Sequence, residues 1–262
     1  MIFIIASPRS GSHALRSILG QESLIKNFGE VFNHDTQHVI PGNFSEFFLK
    51  EIDKKQEWKY NSKTSSELLK VYISYLKFLA VNKMPLVDIK DGHLRCLDWP
   101  GPNRELNSRP LLLEAITNLN LPIIRLTRSN WLAQYISELY AIRSNVWVLN
   151  HEQNNIKNDR VYISKDSLHN RFMEFEHNEI VVAKWLNRYQ NFIDVRYEDM
   201  LVDRSLTVGT RQLIGRLLGF ELKNSLKSTT FKILPSPKDI ISNYQEVCDW
   251  LKDSEYRKFL LD

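Results

Sequence analysis

The chain has 262 residues, 43% of them hydrophobic and 25% charged, with a formal net charge of +4. That is an ordinary soluble, globular make-up with length for one large core, and the mild charge suits an anionic ligand without the basic block that nucleic acid requires. The two cysteines, Cys96 and Cys248, exclude a disulfide framework and fit a reducing, cytoplasmic setting.

In chain order, the apolar run Ile2-Phe3-Ile4-Ile5-Ala6 predicts a strand, and Ala14 to Leu19 a helix. The opening run is too short for a signal-peptide core, and no apolar stretch reaches the roughly 18 residues that span a bilayer. Ser23 to Phe28 reads as a short strand ending at Gly29-Glu30. The variable stretch from Phe32 to about Ser62 reads as a lid or helical insertion. Thr64-Ser65-Ser66-Glu67 is a capping box opening a helix that carries Leu68, Leu69, Tyr72, Tyr75, Leu76 and Leu79. Pro85 ends that unit, and Leu86 to Lys90 is a strand with Lys90, Asp91 and His93 at its C-terminal edge.

The loop from Trp99 to Pro110 is irregular, Leu111 to Leu119 is a short helix, and Pro122 to Thr127 is a strand followed by a helix near Ser129-Asn130. Residues 150–163 read as loop. Ser164 caps a long helix to about Gln190, with Leu168, Phe175, Val182, Trp185 and Tyr189 on its buried side. Phe192 to Arg196 is a strand. Residues 205–218 are an amphipathic helix ended by Gly219, and a last helix starts near Asp239 after a Pro235/Pro237 break. Strands alternating with helices predict one α/β domain, a parallel sheet with helices on both faces. Ligands bind such sheets at the C-terminal strand edges.

Two stretches carry chemistry. Ser7-Pro8-Arg9-Ser10-Gly11-Ser12-His13 joins the first strand to the first helix. Loop backbone N–H groups and a helix N-terminus favour an anion at one spot. Gly11 lets the anion approach, Ser10 and Ser12 add hydroxyls, and Arg9 adds a charged fork. The loop lacks the Gly spacing and the lysine of a nucleoside-triphosphatase loop. The second stretch starts at Arg128, where a strand gives way to a helix. Ser137 lies nine residues further on, and both can flank one phosphate.

Pro8-Arg9-Ser10-Gly11-Ser12 resembles the 5′-phosphosulfate loop of sulfotransferases that use 3′-phosphoadenosine 5′-phosphosulfate (PAPS), and Arg128 with Ser137 resembles their 3′-phosphate element. With Gly29-Glu30, Asp88-Ile89-Lys90, Arg196-Tyr197-Glu198-Asp199 and Leu218-Gly219-Phe220, these stretches run in order from residue 8 to residue 220. The chain is thus similar in pattern to bacterial carbohydrate sulfotransferases, those acting on trehalose and nodulation factors above all. The Arg-x-Gly-x-x-Gly tail motif of the cytosolic aryl and steroid branch is absent from the sequence.

The resemblance implies a P-loop-like sulfotransferase fold over residues 1–262, with an acceptor-binding insertion around 32–85. It implies PAPS as co-substrate with no metal, a carbohydrate or other small hydroxyl acceptor, and a homodimer. Arg9, Ser10, Gly11, Ser12, His13, Arg128 and Ser137 would hold the cofactor. His13 stands where such loops more usually carry Thr, so its backbone N–H is the contact that carries over. Glu30 would be the general base, with His93 or His34 as the runner-up, and Arg9 would steady the leaving phosphate. Lys90, His93, Arg143 and Trp147 are candidates for the substrate side. Tyr197-Glu198-Asp199 would brace the sheet edge. Two other readings stay open: a small-molecule kinase on a related fold, and a PAPS-binding relative without catalysis.

Overall fold

A computed structural model describes residues 1–36, 40–52, 65–98, 108–148, 160–230 and 236–260. Its centre is β1 (Ile2–Ala6), buried at every position. Such a strand is apolar on both sides because helices cover both faces of the sheet. After α1 (Ser12–Leu19) comes β2 (Ile25–Gly29). Helices α2 (Phe44–Ile52) and α3 (Ser65–Leu79) then lead to β3 (Met84–Lys90). Helix α4 (Leu111–Asn118) precedes β4 (Ile123–Thr127), and α5 (Trp131–Ser144) and α6 (Lys165–Leu186) precede β5 (Phe192–Arg196). The five strands form one all-parallel sheet in the order β2-β3-β1-β4-β5. The chain closes with α7 (Tyr197–Met200), the hairpin β6 (Leu201–Val202) and β7 (Ser205–Leu206), α8 (Val208–Leu218), α9 (Pro237–Ile240) and α10 (Tyr244–Leu251).

Side-chain alternation along the strands splits the core. Phe3 and Ile5 of β1 join Val87, Ile89 and Ile123 against α2, α3, α4 and the end of α6. Ile2, Ile4 and Ala6 join Leu86, Ile124 and Leu126 against α1 and α8. A third apolar cluster, around Trp131, Phe172 and Phe259, ties α5 and the start of α6 to α10 and the C-terminal turn. Each fully buried aliphatic or aromatic side chain in these clusters contributes about 1.5–3 kcal/mol.

Several boundaries differ from the sequence reading. Pro85 lies inside β3, opposite Lys26 of the edge strand β2. A proline near a strand start costs little there. The helix expected over 205–218 begins at Val208, because Ser205–Leu206 pairs with Leu201–Val202 and Thr207 caps the helix through Thr210 N. Helix α6 ends at Leu186, so Tyr189 packs from the following turn, and its hydroxyl donates to Leu121 O at 2.5 Å. The first helix starts at Ser12, two residues before the expected Ala14, and the expected final helix is split into α9 and α10. Thr64, most of the 99–110 and 150–163 loops, and Pro235 lie outside the described residues. Among the described residues, no helix is long and apolar enough to cross a membrane.

Candidate functional site

From the central β1 the chain crosses to β2 on one side, whereas β4 leads to β5 on the other. The crevice between the C-terminal ends of β1 and β4 is therefore a topological switch point, where open α/β sheets bind ligands. Loop 7–11 rises from β1 on one lip, and residues 128–130 rise from β4 on the other. Gly11 caps α1 at φ +91 and, lacking a side chain, caps none of the first-turn N–H groups itself. A Cβ at Gly11 would run into the Tyr197 ring, so glycine is needed for both the backbone and the space. Arg9 also takes a positive φ of 63. The turn between them is pinned by Ser10 Oγ, which donates to Ser7 O at 2.7 Å. Ser7 Oγ in turn donates to Asp91 Oδ2.

Arg9 and Arg128 share the crevice. Arg9 Nε donates to Ser137 Oγ at 2.9 Å, and Arg9 Nη1 to Trp147 O at 2.5 Å. Arg128 Nη1 donates to Arg9 O at 3.0 Å, and its guanidinium lies 4.7 Å over the Tyr197 ring. Gln134 Nε2 donates to Pro8 O at 2.7 Å. Helix α5 is thus fastened to the loop, and Ser137, two and a half turns beyond Arg128, faces the same spot. Burial first, and then the charge of Arg128, lower the Arg9 pKa. Guanidinium groups gathered in a desolvated crevice favour an anion between them.

A second charged group lies beside the cradle. Lys90 Nζ donates to Ser12 Oγ and to Asp88 Oδ1 and Oδ2 at 2.9 and 2.8 Å. It also lies 3.4 Å from Glu30 Oε1. Glu30 follows Gly29, the last residue of β2, and its Oε1 lies 3.1 Å from His13 Nε2. Burial pushes the Glu30 carboxyl up, but the His13 hydrogen bond and the Lys90 charge outweigh burial and hold it well below the usual carboxylate range. His13 is lowered, by burial first, with Arg16 and Lys90 adding to the effect. The site therefore holds an ionised Glu30 beside a neutral imidazole and an ammonium.

The structure brings Arg9, Ser12, His13, Glu30, Lys90, Arg128 and Ser137 to one edge of the sheet. Ser10 is buried in the turn and shapes it. His93 lies in the turn after β3, and its Nδ1 is buried with no hydrogen-bond partner among the described residues. Trp147 meets the site through its carbonyl, while its half-exposed ring and the exposed Arg143 side chain lie at the end of α5. The alternative base His34 bonds instead to Ser45 Oγ at 2.8 Å.

Sequence reasoning gave no role to Arg16 or Gln134, placed Asp88 only within a matching stretch, and had Glu198 bracing the sheet edge. Asp88 shares a strand face with Lys90, the i, i+2 signal that could have found it. Arg16 lies one helical turn after His13. Glu198 accepts from Ser129 N at 3.0 and 3.1 Å and from Asn130 N at 3.1 Å, a contact 68 residues distant that no local pattern encodes. Fold and site together define a parallel α/β protein with two guanidinium groups and a helix N-terminus at its switch point and a carboxylate–ammonium pair beside them. No protein-family model and no curated protein matches the chain.

Proposed function

We propose that this protein is a sulfotransferase that moves a sulfuryl group from PAPS to a hydroxyl of a carbohydrate or glycolipid acceptor. One observation carries the reading: the N-terminus of α1, Arg9, Arg128 and Ser137 converge on one crevice, with Glu30 and Lys90 on the neighbouring lip. Such a crevice suits a nucleotide bearing two separate anionic groups. The 3′-phosphate would sit by Arg128 and Ser137, and the phosphosulfate on the loop and α1.

In the transfer, the acceptor oxygen forms a bond to sulfur as the bond from sulfur to the bridging oxygen breaks. That electron pair stays with the departing phosphate. The acceptor's proton goes to Glu30, which is ionised and can receive it. Lys90 and the guanidinium of Arg9 stabilise the charge growing on the leaving phosphate, with most of the rate coming from positioning and electrostatics. The acceptor would enter beside Glu30, with the α2–α3 region and the Trp147 segment as its surroundings.

The test is calorimetric binding of 3′-phosphoadenosine 5′-phosphate (PAP), with AMP and magnesium-ATP as controls. Micromolar PAP binding that depends on the 3′-phosphate is the expected outcome. Preference for magnesium-ATP returns the kinase reading, and no nucleotide binding overturns the proposal.

A further inference from the structure

His13 occupies a cofactor loop, yet its side chain is committed elsewhere. Its Nε2 lies 3.1 Å from Glu30 Oε1, and Arg16 Nη2 lies 2.8 Å from Nδ1 and 2.9 Å from Nε2. A carboxylate only accepts and a guanidinium only donates. Arg16 is equally near both ring nitrogens, so it is the Glu30 contact that calls for the proton on Nε2, which leaves the lone pair of Nδ1 to accept from Arg16. Arg16 is held in place by two features. Its Nε lies 3.8 Å from Asp88 Oδ2, and its guanidinium packs where a Cβ on Gly29 would be. Gly29 immediately precedes Glu30. The contacts close a ring of chemistry: Gly29 admits Arg16, Arg16 orients His13, and His13 orients Glu30.

We propose that His13 is a positioning residue that holds the Glu30 carboxylate aimed for proton abstraction, an inference that rests on the sulfotransferase reading above. Lys90 is the other group on the same oxygen, but it is shared with Asp88 and with Ser12 of the cradle. An anion in the cradle would compete for that ammonium, whereas the His13 contact at Oε1 would persist, with Asn33 Nδ2 3.5 Å from the other carboxylate oxygen. The charged and titratable groups around the pair are Arg16 on α1, Asp88 and Lys90 on β3, His93 on the following turn and Arg9 on the loop. Their net effect keeps the imidazole neutral, so it donates one hydrogen bond and adds no charge that would stop Glu30 receiving a proton.

The experiment titrates Glu30 by carboxyl ¹³C NMR, with and without PAP, in the unaltered protein and in His13→Ala and His13→Gln. Loss of a hydrogen bond to a charged group is expected to raise Glu30's proton affinity about tenfold or more in His13→Ala. Glutamine, which donates from a similar place without titrating, is expected to restore most of that loss. In PAP release from PAPS with water as acceptor, the acid limb should move to higher pH in His13→Ala while KM changes less than about threefold. An unchanged Glu30 titration, or an unmoved acid limb, overturns the proposal. Should His13→Ala fail to fold, imidazole ¹⁵N NMR of the unaltered protein decides: a neutral ring protonated at Nε2 supports the proposal, and a charged or Nδ1-protonated ring overturns it. Absence of PAP binding would instead overturn the sulfotransferase reading, and the free-protein titration would still read His13's hold on Glu30.

Discussion

On the proposed function Arg128 has two duties, one toward ligand and one toward the loop, since it also donates to Arg9 O at 3.0 Å. Arg128→Ala is therefore expected to weaken PAP at least about tenfold, or 1.4 kcal/mol, and AMP distinctly less, as read by calorimetry. Equal weakening of both would leave only the loop-bracing duty. Glu30→Gln is expected to leave PAP affinity within about threefold and to cut PAP release from PAPS about 10²-fold or more. Normal turnover in that variant would remove Glu30 from the chemistry. At this scale the sequence showed the residue types and their order, because a strand–loop–helix turn is built from local chain. It did not show that Arg9 reaches Ser137 and Trp147 while Lys90 stands by Glu30. Those partners are set by tertiary distance, which spacing does not encode.

Elements with strong end signals were legible to within a residue or two. Ser164 caps α6 through Ser167 N, and Gly219 ends α8 in the left-handed region. Asn130 caps α5 through Ala133 N. The short pair β6 and β7 was invisible because two residues make no period, and Leu206 alone fits a helical pattern equally well. The described part of the insertion between β2 and β3 is anchored by aromatic packing. Phe44 and Phe47 are buried against Tyr72, whose hydroxyl donates to Gly42 O at 2.6 Å. Tyr72→Phe leaves that buried carbonyl short of a partner and is expected to cost about 1–3 kcal/mol. Denaturant unfolding checks this, and a change under about 0.5 kcal/mol would mean that the aromatic packing alone holds the segment.

For the whole molecule, acid is the sensitive direction. His13 and His93 have pKa values lowered from 6.5, both by burial first, and the Met1 amine is lowered from 8.0 to about 6. The unfolded chain therefore binds more protons than the fold as pH drops through this range, so stability falls with falling pH. Glu30, held below its ordinary 4.5, adds a contribution present above that pH and lost beneath it. Asp91 and Glu179, both raised by burial, carry the opposite sign. The melting temperature is expected to fall from pH 8 to pH 5, with about 2–4 °C for each kcal/mol lost in a chain of this size. His93→Gln should flatten part of that fall, and a parallel fall in the variant would assign the effect to the other groups.

The carboxylate of Glu198, seated on the backbone N–H groups that lead into α5, has a consequence for ligand polarity. Two helices begin at the switch point, and each start is a socket for negative charge. The chain stoppers one socket with its own side chain, whereas at α1 the capping residue is Gly11, which has no side chain to do so. On the proposed function, an asymmetric ligand with an anion at each end would then find a helix start for one end and only side chains, Arg128 and Ser137, for the other, which leaves one way round to dock.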